Sequence, residues 1–128
     1  MVDAQLLTRG RVTGQSVTAG ATYTFQGPSG TNIVHCEGDD ELVINLDLTG
    51  AADADLAPTV YVVDPGNPNM TVASLTPLTA MVSSGPKFGS GHVTFWGRYD
   101  ITALDAVRID VKNANAGAQT LNGSWKLG

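Results

Sequence analysis

The chain is short of the residues from which helix surfaces and active sites are built. Only two Glu and three Lys occur in 128 residues. Exposed helix faces are normally made of Glu, Lys, Gln and Arg, so this scarcity disfavours helix. Cysteine occurs once, at Cys36, which excludes an intramolecular disulfide and a cysteine-built zinc site. Cys36 closes the apolar run Ile33-Val34-His35-Cys36 and reads as a small buried hydrophobe rather than a reactive thiol. No stretch approaches the roughly 20 apolar residues of a membrane helix, so no membrane partner is expected. The opening Met1-Val2-Asp3-Ala4-Gln5 lacks the basic region and apolar run of a secretory signal, and folding in a reducing cytoplasm is the expectation.

Positive charge is missing from a long internal span. Val12 through Pro86 contains no Lys or Arg but holds Glu37, Asp39, Asp40, Glu41, Asp47, Asp53, Asp55 and Asp64. The cations lie outside it, at Arg9 and Arg11 and then at Lys87, Arg98, Arg108, Lys112 and Lys126. A net charge of −5 argues against nucleic acid as a partner, which calls for a basic surface. An acidic middle between basic flanks gives either a two-signed surface that orients a partner or plain solvation.

What is present is β-rich. Gly, Thr, Val, Ala, Asn and Asp dominate, and 42% apolar with 15% charged residues suits one folded domain. Glu41 to Leu48 alternates strictly, with Leu42, Ile44, Leu46 and Leu48 on one face and Asn45 and Asp47 on the other. That is the pattern of a strand with one side in the core and one in water. Val107, Ile109 and Val111 repeat it between Arg108, Asp110 and Lys112, and Leu121, Trp125 and Leu127 between Asn122, Ser124 and Lys126. Gly123 falls on the inward side, where it leaves room for a tryptophan. Shorter strands are expected at Thr22–Phe25, Ile33–Cys36, Thr59–Val63, Met70–Leu75 and His92–Trp96, with a loop from Ser83 to Gly91. Ala51 to Leu56 has room for one helical turn. These segments predict an all-β, two-sheet antiparallel sandwich, jelly-roll-like, of about eight strands over residues 15–128. Residues 1–14 carry Leu6, Leu7, Arg9, Arg11 and Val12 and form either an N-terminal arm that reaches a partner or a first edge strand.

A catalytic set does not assemble from this supply. There are two histidines, His35 and His92, and neither sits beside a Ser or Cys in the context of an activated nucleophile. The glycines from Gly85 to Gly91 lack the lysine and following helix of a phosphate loop. Glu37, Asp39 and Asp40, and separately Asp53 and Asp55, offer hard oxygen ligands of the kind calcium prefers, but neither group has the spacing of a known calcium loop. No metal or cofactor is therefore expected. Tyr61, Trp96 and Tyr99 are candidates for a surface contact or a glycan platform, since flat rings stack on apolar sugar faces.

The last thirty residues carry a resemblance. In Tyr99-Asp100-Ile101-Thr102-Ala103-Leu104-Asp105-Ala106-Val107-Arg108-Ile109-Asp110-Val111-Lys112-Asn113 a turn at Asp100 and Thr102 launches an alternating strand. Similar stretches occur in jelly-roll and galactose-binding-like sandwiches and in small virion proteins of tailed bacteriophages. Asn115 to Leu127, which closes on a strand, resembles the phage proteins more than the sugar binders. The resemblance implies a capsid decoration (cement) or head protein located in the virion. Its partners would be the major capsid protein or other virion proteins, it would assemble as a dimer or trimer, and it would use no cofactor and perform no reaction. A tail or head-fibre piece is implied equally well. The alternative is a carbohydrate-binding module or lectin-like domain.

Overall fold

The computed structural model describes residues 9–27, 32–49, 58–64, 76–83, 87–89, 91–115 and 117–128. Leu6, Leu7, Asp53 and Asp55, the helical turn over 51–56 and the strand over 70–75 lie outside them. Among the described residues there is no helix, and eleven strands form two antiparallel sheets. The strands are β1 (Arg9–Val17), β2 (Thr22–Thr24), β3 (Val34–His35), β4 (Glu41–Thr49), β5 (Pro58–Val63) and β6 (Thr76–Leu78). They continue as β7 (Val82–Ser83), β8 (Lys87–Gly89), β9 (His92–Asp100), β10 (Ala106–Lys112) and β11 (Gln119–Leu127).

One sheet runs β1-β11-β4-β9-β7, with β8 also on β9; the other runs β2-β10-β5-β6, with β3 also on β10. Strands β2 and β3 share one edge of β10, at its Lys112 and Ala106 ends respectively, and so act as one interrupted strand. With that count, and without the short β7 and β8, eight strands remain. They pair first with last, second with seventh, third with sixth and fourth with fifth. This is a long hairpin rolled onto itself, the jelly roll that the alternating segments predict. The expected number, about eight, falls below the observed eleven by three: β1, which the sequence leaves open between an arm and a first edge strand, and β7 and β8, which lie within Val82–Gly89, largely read as loop. These two- and three-residue strands are held by backbone pairing to β9 and carry no side-chain period of their own.

The core lies between the sheets. Leu42, Ile44, Leu46 and Leu48 of β4, Val93 and Phe95 of β9 and Leu121 and Trp125 of β11 meet Val60 of β5 and Val107, Ile109 and Val111 of β10. Each clear alternation in the sequence buries the face it predicts. Close approach explains two inward glycines. A Cβ on Gly123 would lie 2.8 Å from Leu46 Cδ2 and 3.2 Å from Phe25 Cζ, so the space it leaves is filled by these residues rather than by a tryptophan. A Cβ on Gly10 would lie 2.4 Å from Trp125 Nε1, so the edge strand can lie over the indole only without one.

Candidate binding surfaces

Strand β1 places the first group of candidate residues. Val12 turns inward against the core, whereas Arg9 and Arg11 are exposed on the outer face. The apolar character of Val12 is therefore satisfied within its own domain. A bulge between Val12 and Gln15 puts Gly14 at φ +65°, where its N–H donates to Asn122 Oδ1 at 2.9 Å. Such bulges are common on edge strands. No described strand pairs with the outer edge of β1.

The three candidate aromatics do not form one platform. Tyr99 was expected at the surface beyond a strand ending at Trp96, but β9 continues to Asp100 and keeps its alternation. Val93, Phe95, Gly97 and Tyr99 all point inward, and Tyr99 is 3% exposed. Tyr99 is a core residue, excluded from any surface contact. Tyr61 is half-buried on the outer face of the other sheet, beside Arg108 and Asp110. That face carries a mostly buried ion pair: Arg108 Nε donates to Asp110 Oδ1 at 3.0 Å, and Thr24 Oγ1 donates to the same oxygen at 2.7 Å. Trp96 alone faces outward on the six-stranded sheet.

The strand register gives Trp96 its neighbours. Arg11, Ser124, Asn45 and Trp96 stand side by side across β1, β11, β4 and β9. The next row holds Asn122, Asp47 and Thr94, and the row on the other side Arg9, Lys126, Val43 and Arg98. Together the first two rows line a shallow groove of about 440 Å³. His92 Nδ1 lies 2.9 Å from Asp47 Oδ1, and Arg98 Nε lies 3.6 Å from Glu41 Oε2. Both pairs are solvent-exposed and contribute little to stability. Arg9, Arg11 and Lys126 enter no ion pair among the described residues.

The acidic turn is spread along the chain between β3 and β4. Glu37 and Asp40 are exposed, Asp39 is half-buried, and its N–H donates to the Cys36 carbonyl at 3.0 Å. Among the described residues no three His, Cys, Asp or Glu side chains converge as ligands would. Cys36 itself is fully buried. No known family model matches the chain, and no curated protein matches it.

Two buried titratable groups give the fold a pH dependence. Burial pushes the Tyr99 phenol up to about 12 and the Cys36 thiol up to about 11, the thiol helped by the carboxylates of Asp39 and Asp105. Both are acids held neutral in the folded chain, so their stabilisation is complete below the ordinary values near 9 and 10 and disappears as pH rises through the folded ones. Each is worth roughly 2–3 kcal/mol. The melting temperature is expected to fall steadily from about pH 9 to pH 12, and Tyr99→Phe is expected to flatten that fall. A Phe variant with the same alkaline slope would show that the phenol plays no part.

Proposed function

We propose that the chain is a non-enzymatic structural protein of a virion, one that decorates the outer shell of a tailed-phage capsid as a homo-oligomer. The observation that supports this reading best is the outer edge of β1, with which no described strand pairs. Nine residues of backbone run along the border of the larger sheet, continuous in sequence with Leu6 and Leu7. A long strand edge of this kind is a template for pairing with another chain. At the opposite border Met81, which precedes the short β7, and Val82 within it are the exposed large hydrophobics among the described residues, about half accessible. Two adhesive borders on one sheet suit a protein whose work is to bury surface between subunits. Decoration would then stabilise the shell by mass action, through standard-sized interfaces of about 1,200–2,000 Å².

The carbohydrate-binding alternative draws on a different surface and loses two of its three aromatics, Tyr99 to the core and Tyr61 to the opposite face. Assembly is tested by light scattering, which is expected to give the mass of two or three subunits, and by sedimentation with shells of the major capsid protein from the same genome. Removing residues 2–8, which precede β1, is expected to abolish shell binding while leaving the melting temperature unchanged. A full-length monomer that stays in the supernatant at micromolar shell concentration overturns the reading.

A further inference from the structure

We propose that the outer face of the six-stranded sheet is a binding site for an acidic oligosaccharide, with Trp96 as its stacking platform. The inference stands apart from the assembly reading, because it draws on outward side chains of the sheet face, whereas that reading draws on the backbone edge of β1 and on Met81 and Val82. Strands β1, β11, β4 and β9 each contribute outward side chains to it. Three strand spacings of about 4.8 Å make a track of roughly 14 Å, extended enough for a short saccharide rather than a single small molecule.

The side chains match sugar chemistry. Trp96 offers a flat apolar ring, partly exposed, at one end. Asn45, Ser124, Asn122, Asp47 and Thr94 supply neutral donors and acceptors together with one carboxylate, the mixture that hydroxyl pairs of a sugar require. The Gly14 N–H donates to Asn122 Oδ1 at 2.9 Å, which leaves the amide NH₂ donors for a ligand. His92 Nδ1 lies 2.9 Å from Asp47 Oδ1, which leaves the second carboxylate oxygen to accept.

Other ligand classes fit less well. A protein partner would seek several apolar anchors, and Trp96 is the only large apolar side chain on these two rows. Single-stranded nucleic acid needs serial aromatics in an unopposed basic channel, and Asp47 sits in the middle of this one. The acid preference comes from the β1 end, where Arg11 lines the groove and Arg9 and Lys126 stand in the adjoining row, all three without an ion-pair partner among the described residues. In a chain of net charge −5, that is a local concentration of the scarce sign, and a carboxylate or sulfate on the sugar would satisfy it.

The test is a binding screen of the full-length protein against an array of uronate, sialylated and sulfated oligosaccharides with their neutral counterparts, followed by titration of the best binder. Trp125 is buried, so a ligand-dependent change in indole emission reports on Trp96. Acidic glycans are expected to bind and to shift that emission. Trp96→Ala should weaken binding at least tenfold with no change in melting temperature, Trp96→Phe should restore part of it, and Arg11→Ala should remove the preference for acidic over neutral sugars. No binding of any acidic glycan at millimolar concentration overturns the proposal, as does binding that Trp96→Ala leaves intact. Equal binding of neutral counterparts, indifferent to Arg11→Ala, overturns its acidic part. Loss of shell binding in a variant that still binds glycan separates failure of the assembly reading from failure of this one.

Discussion

Removing residues 2–13 is expected to lower the melting temperature by roughly 10–15 °C, whereas removing residues 2–8 leaves it unchanged. The first cut takes away five of the nine residues of β1 and with them the pairs Arg9–Lys126, Gly10–Trp125, Arg11–Ser124 and Val12–Gly123. Trp125, now 3% exposed under Gly10, would face water along one side. An indole buries on the order of 150–250 Å², and exposing about half of it at roughly 25 cal/mol per Å² removes 2–3 kcal/mol. The lost backbone ladder to β11 and the packing of Val12 against the core bring the total to about 4 kcal/mol. Thermal melts of the two truncations decide the matter. If the longer deletion melts like the intact chain, β1 is a dispensable arm and the edge seen here is not part of the folding unit. If both melt early, residues 2–8 belong to the domain as well, and their removal cannot be used to isolate assembly.

The same strand shows what the sequence can and cannot disclose. The alternations in β4, β10 and β11 are written in apolar residues two apart, and the burial they predict follows directly from the pleat. Where a glycine takes an inward position the pattern breaks and reads as a turn. Gly97 ends the visible alternation of β9, yet a Cβ there would lie 2.7 Å from the Phe95 ring, so the glycine is a packing requirement inside the strand. A strand ended at Trp96 leaves Tyr99 at the surface, whereas one that runs on through Gly97 turns it inward. Gly10 has the same role over Trp125 inside β1. The groove was half legible. Parity alone puts Asn45, Asp47, Asn122 and Ser124 outward, but their meeting depends on the register of strands more than seventy residues apart in sequence, which no local pattern encodes. The short β7 and β8, two and three residues long, leave no trace because so few residues cannot show a period.

Asn113 is the polar residue whose loss is expected to damage the fold most. It ends the alternation of β10 as the one polar side chain that is completely buried among the described residues. Its Nδ2 donates to the Val17 and Gly117 carbonyls at 2.9 Å and approaches that of Thr18 at 3.3 Å. Its Oδ1 accepts from the Asn115 N–H at 2.9 Å and from Asn115 Nδ2 at 3.1 Å. Its backbone closes the same corner, accepting from the Gly20 N–H and donating to the Ala21 carbonyl. Val17 ends β1 in one sheet and Asn113 follows β10 in the other, so this amide ties the two sheets together where the chain crosses between them. Asn113→Ala removes the side-chain bonds and leaves buried carbonyls without donors, at a cost of about 3 kcal/mol. The melting temperature should drop by roughly 10 °C. Asn113→Asp is nearly the same size but turns a carboxylate oxygen toward the carbonyls that now receive N–H, and should be worse than Ala at neutral pH. Acidification toward the pKa of the introduced carboxyl should recover part of that difference, because a protonated carboxyl can donate once. An Ala variant that melts within about 2 °C of the parent chain, a loss of under about 1 kcal/mol, would show that water replaces the amide and that the corner is held by its backbone alone.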